Sequence, residues 1–177
     1  MTFQMNPSAM KRIRKEIDLI KEKLPSYEAD IEWMHSNEEK KNTILQVITP
    51  RNNVLVFTIP NDYPFKPPLS LTINGENYRS LLKFMPRRIQ YLYDNPNDVY
   101  YQEGAKIKHF KNPNCLCCSS LLCGENWSPV CTLYGVLIEI NGHNDLKRQI
   151  SYKLCLKPVF DKFKLPIDLL RNLLEFL

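Results

Sequence analysis

Phe57-Thr58-Ile59-Pro60-Asn61-Asp62-Tyr63-Pro64-Phe65-Lys66-Pro67-Pro68 is the stretch whose reading decides the fold. Its first residues close a β-branched and aromatic run, Val54 to Ile59, of the kind that forms a strand. The prolines at 60, 64, 67 and 68 then remove backbone donors and fix φ, so regular pairing stops and the segment stiffens. Phe65 lies between prolines in this stiff segment. Such a backbone either holds the ring outward or tucks it into the core, and both alternatives stand at this point.

Two more strand-like runs lie upstream, Ala29 to Met34 and Asn42 to Thr49, punctuated by Ser36-Asn37 and by Pro50-Arg51-Asn52-Asn53. Leu69 to Ile73 makes a fourth strand. Short connections between consecutive strands favour an antiparallel meander. Before it, residues 8 to 24 read as an amphipathic helix with Ser8 as N-cap. Ile13, Ile17, Ile20 and Leu24 recur at helical spacing, Lys and Glu fill the other faces, and Pro25 ends it. After the meander, Tyr78 to Met85 reads as a short helix stopped by Pro86, Ile89 to Tyr93 as an apolar patch, and Asp94-Asn95-Pro96-Asn97-Asp98 as a loop. Thr132 to Ile140 is a further helix with Leu133, Val136, Leu137 and Ile140 as its stripe, and Asn141-Gly142 is expected to stop it. Leu146 to Phe163, weakened by Pro158, and Leu165 to Leu177, with Pro166 in its first turn, are expected to be two more. The class is α+β, with helices packed on a sheet.

The 177 residues suffice for one domain with a full core, and 44% hydrophobic with 24% charged residues is the balance of a globular protein in water. No apolar run is long enough for a membrane helix, so no membrane partner is expected. Met1-Thr2-Phe3-Gln4-Met5-Asn6-Pro7 does not read as a secretory signal. The expected location is the cytoplasm, with the nucleus as an alternative, and the six cysteines are then reduced thiols. Four of them, Cys115, Cys117, Cys118 and Cys123, fall within nine residues, a density that points to catalysis or metal binding. The net charge of +5 is a weak bias. Arg87-Arg88 and Lys106-Ile107-Lys108-His109 are short and scattered, so no nucleic-acid partner is expected.

Three pieces of the chain, in order, resemble the ubiquitin-conjugating family: the helix containing Met10-Lys11-Arg12-Ile13-Arg14-Lys15-Glu16-Ile17; the strand and Tyr-Pro-Phe-Lys-Pro-Pro turn from Phe57 to Pro68; and Cys118-Ser119-Ser120-Leu121-Leu122-Cys123-Gly124-Glu125-Asn126-Trp127-Ser128-Pro129 leading into Thr132-Leu133 and Val136-Leu137. Cysteine-dense versions of this kind occur among large DNA viruses. The resemblance implies a UBC-like fold: an N-terminal helix, a four-strand antiparallel meander, an active-site loop and C-terminal helices. It implies a catalytic domain over residues 1–163, with an insert at about 79–111, followed by a C-terminal helix over 164–177. The activity implied is transfer of ubiquitin, held as a thioester on a cysteine, to a substrate lysine with the help of a ligase. Partners are then ubiquitin, the ubiquitin-activating enzyme, a ubiquitin ligase and protein substrates, and no cofactor or metal is required.

Cys118, nine residues before Trp127, falls at the family's spacing for the reactive thiol, whereas Cys117 and Cys115 lie ten and twelve before it. A thiol suits the task because its thiolate is the nucleophile of thioester exchange. The family's His-Pro-Asn triplet, whose asparagine helps stabilise the transition state or its loop, is missing; Tyr78-Arg79-Ser80 stands about where it is expected. Asn114 in Asn112-Pro113-Asn114 is the nearest substitute, four residues before Cys118, either as an oxyanion donor or as a plain turn residue. The resemblance further implies ligase contacts at Phe65, Ser128 and Pro129, and activating-enzyme contacts at Arg12 and Lys15.

Other readings compete. The four clustered sulfurs, with His109, suit a tetrahedral zinc site in number, although the adjacent Cys117 and Cys118 rarely both face one metal. A protease-like Cys–His pair would have to draw on His35, His109 or His143. The tail from Leu165 to Leu177 has the look of an F-box opening helix or of a final packing helix. The fold without the chemistry would be a ubiquitin- or ligase-binding module.

Overall fold

The structure is a computed structural model that describes residues 6–32, 42–83, 120–166 and 169. Helix α1 spans Pro7–Lys23. Its cap is Asn6, whose Oδ1 accepts from the Ser8 N–H at 3.0 Å, rather than Ser8 itself. Pro7 explains the shift: its fixed φ suits the first helical position and its missing N–H needs no partner there. Ala9, Met10, Ile13, Ile17 and Ile20 are buried at three- and four-residue spacing, and so is Glu16. A charged residue expected on the solvated face therefore lies in the core.

Five strands follow in the spatial order β1-β2-β3-β4-β5, every neighbouring pair antiparallel: β1 Glu28–Glu32, β2 Thr43–Ile48, β3 Val54–Ile59, β4 Ser70–Ile73 and β5 Glu76–Asn77. The register sets Leu45 opposite Phe57 and Phe57 opposite Leu71, with Val47, Leu55 and Ile73 aligned one pleat away. Because side chains alternate along a strand, these rows share one face, and that face carries the core. The Thr49–Asn53 connection closes through Thr49 N–H to Asn53 O at 3.0 Å, with Asn52 in the left-handed region. The two-residue β5 is the strand the four-strand expectation lacks. It is made by Asn74-Gly75, both at positive φ, the residue pair that tight hairpins favour.

Helix α2, Tyr78–Lys83, leaves the sheet edge and buries Tyr78 and Leu82. Helix α3 runs unbroken from Leu133 to Phe163, about 46 Å at the usual rise. Thr132 caps it by accepting from the Gly135 N–H at 2.9 Å, and Lys164 ends it in the left-handed region. The expected stop at Asn141-Gly142 does not occur. A helical glycine costs only about 1 kcal/mol, and here tertiary anchors flank it: Ile140 and His143 are buried, and the Tyr27 hydroxyl donates to Asn141 Oδ1 at 2.9 Å. Pro158 is likewise carried inside the helix. Of the helix expected over 165–177, Leu165 and Pro166 are not helical, Leu169 is, with its N–H donating to Pro166 O at 3.1 Å, and the rest lies outside the described residues.

The core gathers α1, the inner sheet face, Tyr78 and Leu82 of α2, Leu122 and Trp127, and Leu133, Val136, Leu137 and Ile140 of α3. The chain is thus α+β, with a helix on each side of an antiparallel meander in sequence. Among the described residues no helix is long and apolar enough to cross a membrane.

Candidate functional site

The site is built where the proline-rich turn meets the loop that leads into α3. The turn closes through Tyr63 N–H to Pro60 O at 3.2 Å and Phe65 N–H to Asp62 O at 2.9 Å, with a cis Tyr63–Pro64 peptide. The Trp127 indole N–H donates to Pro64 O at 2.8 Å, and the Tyr63 and Trp127 rings lie 5.9 Å apart. Trp127 is 9% exposed, so an indole in the core fastens one loop to the other. Phe65 and Ser128 each stand one residue from that bond. Phe65 is 78% exposed, Ser128 and Pro129 are exposed, and Val130 is 86% exposed. The outward alternative for Phe65 is the one adopted. The residues expected to meet a ligase are thus all exposed, on two segments that the Trp127–Pro64 bond joins, and Val130 is an exposed apolar side chain that sequence reasoning did not single out.

Tied to the turn through Tyr63 is Glu16, 2% exposed. Its Oε1 accepts from the Tyr63 hydroxyl at 2.7 Å and pairs with Arg12, and its Oε2 accepts from the Leu133 N–H at 2.6 Å. Leu133 opens α3, so the carboxylate also sits at the positive end of a helix dipole. Burial, with Glu16 next in effect, pushes the Tyr63 hydroxyl well above its ordinary pKa, so it stays a donor. Arg12 is half-buried, paired with Glu16 and donating to Cys131 O at 3.3 Å, while Lys15 is exposed. Of the two cations expected on a docking face, Arg12 is therefore bound into the fold.

A second polar cluster holds the start of the loop. The Leu121 N–H donates to Glu139 Oε2 at 2.7 Å, and Arg79 donates to Leu122 O at 2.5 Å. The Tyr78 hydroxyl lies 3.2 Å from Glu139 Oε1 and 2.7 Å from His143 Nδ1. Ser120 is buried, and its carbonyl accepts from Cys123 N–H and from the Asn126 amide, each at 3.0 Å. Sequence reasoning missed this cluster, although Glu139 and His143 at i, i+4 share a helix face.

Burial, with Lys147 second, holds the His143 imidazole down to about 4 against an ordinary 6.5. Between those values the unfolded chain takes up a proton that the folded one does not, so stability falls as pH drops from 6.5 toward 4. The gap corresponds to about 3 kcal/mol. His143→Asn, which keeps a polar atom facing Tyr78, is expected to flatten the acid limb of unfolding free energy by about 2 kcal/mol between pH 7 and 4.5. Urea unfolding at pH 7, 6, 5 and 4.5 measures this, and parallel limbs for the two proteins would contradict it.

Cys118, Asn114, Cys115, Cys117, His35 and His109 lie outside the described residues, as do 84–111 of the expected insert. Its first residues, 79–83, belong to helix α2. Cys123 is half-buried, and its carbonyl accepts from the Asn126 and Trp127 N–H groups. Among the described residues no three His, Cys, Asp or Glu side chains are grouped to hold a metal, and three of the four clustered sulfurs are not among them. His143 points its Nδ1 at Tyr78 in the core. Compared with protein-family models, curated proteins and solved structures, the chain matches none.

Proposed function

We propose that the chain is a ubiquitin carrier with a UBC-like fold. The observation that carries this reading is the Trp127 Nε1–H to Pro64 O bond, which brings the Tyr-Pro-Phe-Lys-Pro-Pro turn beside the Trp-Ser-Pro loop with Phe65, Ser128 and Pro129 all outward. Two stretches far apart in sequence, each resembling a segment of one family, are joined by this bond. In the proposed reaction the Cys118 thiolate attacks the carbonyl carbon of ubiquitin's thioester on the activating enzyme. That enzyme's sulfur departs as a thiolate, and ubiquitin is left bonded to Cys118. A lysine amine later attacks the new thioester, the Cys118 thiolate leaves, and the nitrogen loses its extra proton to water. The Asn114 amide is assigned to the oxyanion of each tetrahedral intermediate. Phe65, Ser128 and Pro129 receive the ligase; Lys15, with Arg12 behind it, faces the activating enzyme.

Incubation with ubiquitin, activating enzyme and ATP tests this reading. A ubiquitin adduct cleaved by thiol reductant and lost in Cys118→Ser supports it; no adduct under conditions that charge a known carrier sinks it. The second reading, a binding module without the chemistry, draws on a specific observation. The segment standing near the family's asparagine triplet contributes Tyr78, buried against Glu139 and His143, not an open amide.

Phe65→Ala is expected to leave charging and melting temperature unchanged, since the ring is mostly in solvent. Ligase-stimulated discharge of ubiquitin should fall roughly 30-fold at subsaturating ligase, the equivalent of one hot-spot contact of about 2 kcal/mol. Equal discharge rates for the two proteins would remove Phe65 from the docking surface.

A further inference from the structure

A partly open cleft of about 260 Å³ lies between α3 and the β2–β3 hairpin, and it shares no residue with the Trp127–Pro64 junction. Its floor is apolar: Leu55, Leu137 and Ile140 are buried, and Ile73, the cross-strand partner of Leu55, is half-buried. Helical spacing builds one wall. The apolar stripe of α3 that ends in Leu137 and Ile140 continues as Asn141, Asn144 and Asp145, so this face turns polar where the core stops. The hairpin turn, with Thr49, Pro50, Arg51 and Asn53, builds the other wall. The polar groups here are unevenly used. Thr49 Oγ1 accepts from the Asn53 N–H at 3.1 Å, Asn53 Oδ1 from Asn74 Nδ2 at 2.9 Å, and Asn141 Oδ1 from the Tyr27 hydroxyl at 2.9 Å. The acceptors of these lining residues are thus taken up within the fold, while the amide hydrogens of Asn53 and Asn141 have no partner among the described residues. The same holds for the Arg51 guanidinium and the Asn144 side chain. Asp145, in contrast, is already paired with Arg148 at 3.2 Å. An apolar floor is therefore ringed by unused donors and one unpaired cation.

We infer that this cleft binds a small apolar carboxylate, its ring or branched chain resting on Leu55, Leu137 and Ile140 and its charged end accepting from Arg51 and the amides of Asn53, Asn141 and Asn144. An ionised carboxylate only accepts, so it complements a site whose own acceptors are occupied. Its bonds to a guanidinium are charge-assisted and stronger than neutral ones. A cationic ligand would meet Arg51 and find the carboxylate of Asp145 already neutralised. The volume lies just under the roughly 300–1,000 Å³ of drug-sized sites, which suits a single ring rather than a nucleotide. This chemistry has two sources, a free organic acid and the apolar C-terminal residue of a peptide.

The test titrates the isotope-labelled full chain with phenylbutyrate and with its uncharged analogue phenylbutyramide, following the side-chain amide signals of Asn53, Asn141 and Asn144 by NMR. The acid is expected to shift these signals saturably and to bind about tenfold more tightly than the amide. Arg51→Gln should weaken binding of the acid about tenfold and leave that of the amide unchanged. Asn144→Asp, an isosteric exchange, should do the same by placing a second carboxylate beside Asp145. Arg51 and Asn144 are exposed, so both variants should melt with wild type. Equal affinity for acid and amide in wild type, an acid affinity unchanged in both variants, or shifts that never saturate would each overturn the inference. A short peptide ending in phenylalanine, with its C-terminus free or amidated, separates the two sources. Tighter binding of the free-acid peptide than of phenylbutyrate assigns the cleft to a protein C-terminus, and binding of phenylbutyrate without the peptide assigns it to a free organic acid; both support the carboxylate chemistry.

Discussion

Glu16→Ala is expected to lower the unfolding free energy by about 3–5 kcal/mol, a loss as large as truncating a large apolar side chain of the core. The magnitude follows from what is left behind. The Tyr63 hydroxyl and the Leu133 N–H both donate to this carboxylate inside the protein, and neither gains water when it is removed. Each stranded donor costs about 1–3 kcal/mol. Arg12 also loses its partner but is nearly a third exposed, so its share is small. For a chain of 177 residues the total corresponds to a melting temperature lower by roughly 10 °C. Glu16→Gln should cost less, because one amide oxygen still accepts while the nitrogen faces donors on the other side. Pairing Glu16→Leu with Tyr63→Phe should recover about 1 kcal/mol relative to Glu16→Leu alone, since the second change removes a stranded donor. Denaturant unfolding of the four variants settles the matter, and a Glu16→Ala protein within 1 kcal/mol of wild type would refute the argument.

Glu16 also shows where the sequence stopped being legible. The isoleucines at 13, 17 and 20 declare the apolar face of α1 by spacing alone, and the structure buries all three. Residue 16 lies three and four positions from 13 and 20, on the flank of that same stripe. Its charge made it read as solvated, because the partners that satisfy it come from residues 63 and 133, remote in sequence. The strands were legible because alternation and punctuation are local, and β3 begins and ends where its pattern does. The helix stop at Asn141-Gly142 was a local signal overruled by nonlocal packing of Leu137, Ile140 and His143. In the opposite sense Asn74-Gly75 was a sufficient hairpin signal whose second strand, two residues long, was too short to display any pattern. For the site, the motifs gave Phe65, Ser128 and Pro129, which the Trp127–Pro64 bond unites. Spacing gave no sign of Tyr78 and Glu139 meeting across 61 residues.

Serine replacements taken one at a time through the cysteine cluster separate nucleophile from metal ligand. In the charging reaction Cys118→Ser should lose the reductant-sensitive adduct outright, a fall on the order of 10³ or more in rate. A thiol near its ordinary pKa keeps a useful thiolate fraction at neutral pH, whereas an alcohol needs a neighbouring base. Among the described residues the only histidine is His143, and its Nδ1 is engaged by Tyr78 inside the core, so it cannot serve. Cys115→Ser, Cys117→Ser and Cys123→Ser should keep the adduct at rates near wild type. Cys123 is the most informative of these, because its place in the loop is held by its backbone carbonyl, through Asn126 and Trp127, and exchanging sulfur for oxygen leaves that intact. A tetrahedral zinc site would give another pattern altogether. Each of the four replacements would then lower the melting temperature, and metal analysis would find one zinc per chain in the parent and less in every variant, because structural zinc binding is linked to folding. A carrier loses chemistry at a single sulfur while keeping its stability; a zinc domain loses stability at four sulfurs and never had the chemistry. A reductant-sensitive adduct that survives in Cys118→Ser moves the nucleophile to another cysteine, and stoichiometric zinc released by all four replacements ends the carrier mechanism.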